Sequence, residues 1–403
     1  MNPFTDINIR FSVEQSKGYA LLMAFLPIVM MYRTPGLAVG LSTSLIALGM
    51  IYALCVIYLH ANRINLRFIL PFSIYIIYSF FMGNTQTQLL SIAIFVHLAA
   101  ISTGAINGRF LRRVIEYLYI VAAIGVTIQQ ILHVFLGIDL QMMYSSLMIE
   151  SLQHVGYSDM FGESLGNKMY RPSAFFMEPS HLAQYCSVGL ASCLFRDEAK
   201  IKQALLVTLG LMMSTSGIGI VLVFAVWGWW YLSKMENQTL LTKVVIFVGA
   251  FLAVGILLAV LYQIPFFQQV FGRFIGTGDG DYNAIEGRTY VWKYVERMNS
   301  EDLVWGMGDD NLPLGFLTDF VRQLLAYGIV GCCLFYFTLL NLMLSNKGLA
   351  RTVAIMYAAL SFVANQAGFI LLIFQVGTIL TVALGENTEM EESEILETEN
   401  KAS

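Results

Sequence analysis

The chain has 403 residues, 57% of them hydrophobic and only 12% charged, and its mean hydropathy is +0.67. A soluble protein carries about twice that charged fraction, so the composition excludes a soluble globular protein and indicates a polytopic membrane protein. The net charge of −4 misleads, because the glutamates from Glu386 to Glu399 lie in the tail and not in the spanning body.

Met1 to Lys17 is polar and has no apolar core, so no cleavable signal peptide is expected there and the first spanning helix does the targeting. A hydrocarbon core of ~30 Å takes roughly 17–25 residues per helix. Apolar runs between polar breaks predict spans over 18–33, 36–59, 66–82, 88–106, 114–137 and 180–195. The second half predicts 203–215, 217–233, 243–263, 318–344, 350–365 and 367–385. The expected fold is all-α, a single transmembrane bundle of about 12 spans over 1–385. An acidic cytoplasmic tail, 386–403, follows and is too polar to fold. Cys55, Cys186, Cys193, Cys332 and Cys333 lie in apolar segments and read as small buried hydrophobes, without disulfide or metal-ligand spacing.

Lys and Arg orient the bundle. One side holds 15 of the 23, namely Arg10, Lys17, Arg63, Arg67, Arg109, Arg112, Arg113, Arg196, Lys200, Lys202, Lys234, Lys243, Lys347, Arg351 and Lys401. Both termini are therefore expected in the cytoplasm, with two long loops, 138–179 and 264–317, facing outward. Only these loops have room for a water-facing site. The cytoplasmic loops carry no Walker sequence, glycine-rich nucleotide turn or DxD-like pair, which argues against nucleotide-driven transport and nucleotide-sugar transfer.

The first outer loop closes on Arg171-Pro-Ser-Ala-Phe-Phe-Met-Glu178-Pro-Ser-His181. Pro179 suits the first turn of a helix, which places Glu178 at the cap and His181 one turn in. The helix dipole favours a carboxylate there, and a neutral imidazole oriented by a carboxylate is a competent proton acceptor. The plainer alternative is a cap and an interfacial histidine. In the second loop, Arg288 to Met298 predicts an amphipathic helix along the membrane surface, with Tyr290, Tyr294 and Arg297 on one side and Val291, Trp292 and Val295 supplying apolar surface. Arginines beside aromatic rings suit a lipid-linked phosphate, and ordinary headgroups are the alternative. Trp305-Gly-Met-Gly-Asp-Asp-Asn311 reads as a tight turn before a helix, since Asp309 and Asp310 alone do not make a metal site. Arg322, one turn into the span that follows, either meets an anionic partner or snorkels to headgroups. His97 and His133 read as satisfied core residues. Ser214-Thr-Ser-Gly217 reads as a turn whose small polar side chains satisfy backbone groups.

In order and spacing, several of these segments resemble the bacterial O-antigen and capsular polysaccharide polymerases of the Wzy type, in the superfamily that includes the O-antigen ligases. They are Arg171 to His181, Ser214 to Gly217, Gly287-Arg288 with Trp292, Gly306-Met-Gly308 and Tyr327-Gly-Ile-Val-Gly331. The likeness covers residues 165–335, with the Arg…Glu-Pro-Ser-His segment as its specific part; the N-terminal half is similar only in hydropathy. The resemblance implies a GT-C-like membrane glycosyltransferase that needs no metal or other cofactor. Such an enzyme joins undecaprenyl-diphosphate-linked oligosaccharide repeat units on the outer side of the bacterial plasma membrane. It implies that Arg171 and Arg288 bind diphosphate, with Arg273 and Arg322 as further cations, and that Glu178 or His181 assists the attacking hydroxyl. Tyr290 and Asp319 would support them. The implied partners are membrane lipids, a chain-length regulator and a flippase of the same pathway, and no nucleic acid. The ligases carry a histidine in the second outer loop, whereas no histidine follows His181 here, which favours a polymerase. A transporter of lipid-linked oligosaccharide is the alternative of another class, but few midplane charges and no repeated halves are visible.

Overall fold

A computed structural model describes residues 17–28, 41–60, 64–140, 170–235 apart from 177 and 197, scattered positions between 239 and 268, 290–313, 317–364, and 376–382 apart from 380. Every regular element among them is helical. In chain order these are α1 (Lys17–Ile28), α2 (Leu41–His60), α3 (Leu66–Met82), α4 (Thr85–Ser102), α5 (Gly108–Leu136), α6 (Pro179–Leu194), α7 (Ile201–Met213) and α8 (Gly217–Lys234). After them come α9 (Trp292–Val295), α10 (Ser300–Trp305), α11 (Asp319–Ser345) and α12 (Gly348–Leu360). Of these, α5, α8 and α11 are long and apolar enough to cross a membrane. The chain is a helical membrane protein.

Capping explains where helices depart from their predicted bounds. Asn84 accepts the Thr87 N–H at 3.0 Å and starts α4 three residues earlier than the apolar run does. Asn107 accepts the Phe110 N–H at 2.9 Å in the same way, so the arginines expected in a loop form the first turns of α5. Beyond them α5 is two-faced. Ile115, Tyr119, Ala122, Ala123 and Val126 are buried, whereas Tyr117, Val121, Ile124, Ile128 and Ile131 are exposed at helical spacing. A large apolar stripe left uncovered on a helix of this length suits lipid.

The chain divides into two compact units, residues 1–115 with 290–403 and residues 116–289. In the first, α3 packs on α4 and α11, and α11 packs on α10 and α12. Tyr75 on α3 donates to Gln323 Oε1 on α11 at 2.7 Å inside this core. His97 is buried there, as expected, against the Tyr19 hydroxyl.

In the second unit α6 is buried along nearly its whole length and packs on α7 and α8. The carboxylate of Glu116, 5% exposed, ties α5 to the α6–α7 connection. It accepts Ser192 Oγ at 2.8 Å, Lys200 Nζ at 2.8 Å and the Arg196 guanidinium. The carboxylate is the buried partner, so stripping its cations is the damaging change. R196A alone is expected to lower stability by about 1–2 kcal/mol. R196A/K200A is expected to lower it by about 3 kcal/mol or more. Thermal unfolding in detergent micelles checks both, and two equal midpoint shifts would count against the buried carboxylate as the cause.

Candidate functional site

The segment that enters α6 is held from several directions. Tyr170 is buried, and its hydroxyl donates to the Leu140 carbonyl at 3.0 Å. Burial, with the Asp139 carboxylate adding to it, pushes the Tyr170 phenol up to about 12, so it stays a neutral donor. Ala174 adopts a left-handed φ of 50°. Its N–H donates to Gln129 Oε1 at 2.8 Å, and Gln129 Nε2 donates to the Leu140 carbonyl at 2.9 Å. The Ser173 hydroxyl closes the turn on the Phe176 carbonyl at 2.7 Å, and the Phe176 ring packs on Tyr185 of α6. Arg171 is therefore half-buried on a fixed backbone between Tyr170 and the buried Pro172 and Ser173.

Glu178 is the N-cap of α6 and Pro179 its first residue, as the sequence predicts, but the Glu178 side chain makes no capping bond. It accepts the Ser180 hydroxyl instead. His181 Nε2 lies 3.4 Å from Glu178 Oε1, with the imidazole 13% and the carboxylate 28% exposed. The other ring nitrogen, Nδ1, is buried without a hydrogen bond. An acceptor carboxylate and a half-committed imidazole thus share the start of a helix whose first N–H groups are not taken by the cap. Ser214 to Gly217 forms the α7–α8 turn, with Thr215 at φ 55° and Ser216 accepting the Gly219 N–H at 3.3 Å. This turn belongs with the segment, because a Cβ placed on Gly219 would lie 3.4 Å from Ala183, two residues beyond His181.

The other predicted site residues lie in the first unit or outside the described residues. Arg273 and Arg288 are outside them, as are residues 141–169 of the first loop. Tyr290 is half-exposed just before α9, with Lys293 Nζ 4.6 Å from its ring centroid. The expected amphipathic helix is helical from Trp292 to Val295, and Asn299 then caps α10 by accepting the Asp302 N–H at 2.7 Å. Val291 is buried with Leu317, Val321 and Leu325. Asp319 is fully buried in the first turn of α11, where its own N–H donates to the Ala364 carbonyl at 3.0 Å.

Arg322 has an anionic neighbour, Asp309, with Nη2 3.9 Å from Oδ1. The Asp309 side chain, 4% exposed, accepts the Thr87 hydroxyl at 2.5 Å and the Tyr327 hydroxyl at 2.9 Å through Oδ2. Asp310 accepts the Asn84 amide at 3.0 Å. Each of the adjacent carboxylates is thus engaged by donors of its own. Arg322 lines a cleft of about 70 Å³ with Thr87, Gln323 and Tyr327.

Sequence reasoning passed over Gln129, Glu116 and Thr87, it gave Tyr327 no role beyond its motif, and it misplaced His133, which is half-exposed at the end of α5. For Glu116 a signal was present, since it is the one acid in α5 and an acid inside an apolar helix is rarely idle. No protein-family model, curated protein or solved structure matches the chain.

Proposed function

We propose that the chain is a polysaccharide polymerase of the Wzy type, a multi-pass protein of the bacterial plasma membrane with cytoplasmic termini and an outward-facing site. It would join undecaprenyl-diphosphate-linked oligosaccharide repeat units for O-antigen, capsule or exopolysaccharide. The observation that carries this reading is the Arg171–His181 segment, whose arginine, carboxylate and imidazole sit on a backbone fixed by Gln129 and Tyr170 at the start of a buried helix.

A sugar diphosphate carries its own leaving group, so the protein need only neutralise departing charge and accept one proton. A hydroxyl of the incoming unit attacks the anomeric carbon of the growing chain. The bond from that carbon to the diphosphate oxygen breaks, and the electron pair leaves with the diphosphate. Arg171 holds the diphosphate, helped by Arg288 or Arg273, while Glu178 or His181 assists the attacking hydroxyl.

Deleting the gene tests the reading. Single repeat units capping lipid A core, or undecaprenyl-linked single units where lipid A is absent, are the expected result. Loss of all attached glycan would identify a ligase, and repeat units trapped on the cytoplasmic leaflet a transporter.

A further inference from the structure

The last turn of α5 carries an acid–base pair that the mechanism above leaves unused. Gly137, at φ 64°, ends the helix, with its N–H on the His133 carbonyl at 3.1 Å and the Ile138 N–H on the Leu132 carbonyl at 3.1 Å. This left-handed turn, unstrained only for glycine, brings Asp139 back over the helix end. Asp139 Oδ1 lies 2.6 Å from His133 Nδ1, and both side chains are 37% exposed. An exposed pair adds little to stability, so its chemistry matters more than its strength.

The imidazole is oriented on two sides. Its ring stacks on Tyr170 with centroids 4.5 Å apart and planes 23° from parallel. Tyr170 and Gln129 both donate to the Leu140 carbonyl, and Gln129 also holds the Ala174 N–H. The ring is thereby tied to the backbone that presents Arg171. A carboxylate can only accept, so Nδ1 carries the proton and Nε2 of the neutral ring offers its lone pair. Among the described residues nothing hydrogen-bonds Nε2.

We propose that His133 is the proton acceptor for the attacking hydroxyl, with Asp139 as its positioning residue. The proposal rests on the polymerase reading and deepens it. The hydroxyl proton passes to His133 Nε2 as the oxygen bonds to the anomeric carbon, and the electron pair of the broken bond leaves with the diphosphate. In the proton step His133 thus takes the place given above to Glu178 or His181, which shape the entry of α6, where Ser180 already occupies Glu178 Oε1.

The test uses full-length protein in phosphatidylethanolamine–phosphatidylglycerol liposomes, acting on lipid-linked repeat units extracted from the deletion strain. H133A is expected to lower kcat about 100-fold or more, with KM moving less than about twofold. Added imidazoles should restore turnover, and the more basic ring should do so faster, a dependence that a packing role would not produce. D139N should lower kcat about tenfold at unchanged KM. Near-normal kcat in H133A overturns the proposal, and so does rescue indifferent to basicity. If H133A fails to accumulate because the Tyr170 stack is lost, the near-isosteric D139N decides: lowered kcat supports the dyad and unchanged kcat overturns it. Wild-type protein that leaves the units unjoined ends both readings, whereas joined units with an indifferent H133A end only this one.

Discussion

Gly328→Ala is expected to lower stability by about 3 kcal/mol or more, and in cells to deplete the protein from the membrane. Gly328 interrupts α11 at φ 65° and ψ −170°, a region essentially reserved for glycine. The break deprives the Leu325 and Ala326 carbonyls of their helical donors. The Met307 and Gly308 N–H groups replace those donors at 2.8 and 3.1 Å, and the Tyr78 hydroxyl stitches the Trp305 and Tyr327 carbonyls at 3.0 and 3.2 Å. A Cβ on Gly328 would stand 2.5 Å from the Val304 carbonyl carbon and 2.6 Å from the Gly306 nitrogen, both backbone atoms that cannot swing aside. Gly306, at φ 90°, meets the Ala326 carbonyl carbon at 2.5 Å in the same way, so G306A should be similarly damaging. Gly308 supplies the control, since its φ is 78° but its nearest neighbour is the Met82 carbonyl oxygen at 3.5 Å. Its ψ of 160° puts it in the same glycine-only region as Gly328, so G308A should cost about 1–3 kcal/mol, the conformational part alone, and less than G328A. Thermal unfolding in micelles separates the two effects, and equal midpoints for G328A and G308A would sink the close-packing account. Asp309 follows this lock directly, so loosening it should also release the carboxylate from Thr87, Tyr327 and Arg322.

The lock shows what was legible in the sequence and what was not. Gly306-Met-Gly308 and Tyr327-Gly-Ile-Val-Gly331 stand out as motifs, yet nothing in their spacing says that one supplies hydrogen bonds to the other. Helix positions were legible because an apolar run of roughly 17–25 residues between polar breaks is the length that one span requires. At α4 and α5 they start earlier, where Asn84 and Asn107 cap before the hydropathy turns, and α4 and α12 end at Ser102 and Leu360, short of the predicted 106 and 365. The Glu178–Pro179–His181 geometry was legible for a local reason, since proline at N1 and a residue one turn on share a helix end. Gln129 and Asp309 were not legible. The partner of Gln129 lies 45 residues along the chain, and the Thr87 partner of Asp309 lies 222 away. His133 was misread because hydropathy places it inside an apolar run, while its environment is set by the glycine turn that follows. Pairing across such distances depends on how helices pack, which periodicity does not encode.

On the polymerase reading proposed above, Arg171→Ala should cost about 10²–10³ in turnover, the usual effect of removing one preorganised donor from developing negative charge. The charge on the diphosphate grows as the glycosidic bond breaks, so the loss should fall mainly on kcat and only weakly on KM. Arg171→Lys keeps the charge but loses the planar, bidentate fork, so it should recover only part of the activity. The segment is anchored through Tyr170, Ala174 and Phe176, so R171A should accumulate in the membrane at a normal level. Gel ladders of cell-surface polysaccharide read the outcome in vivo, with mostly single repeat units expected from R171A. Full-length chains from that variant would remove the central claim. Small-molecule rescue then separates the two roles assigned around this turn. Guanidinium should restore R171A and leave H133A idle, whereas imidazole should do the reverse. A proton acceptor and a diphosphate clamp draw on different chemistry even where one stretch of backbone holds both.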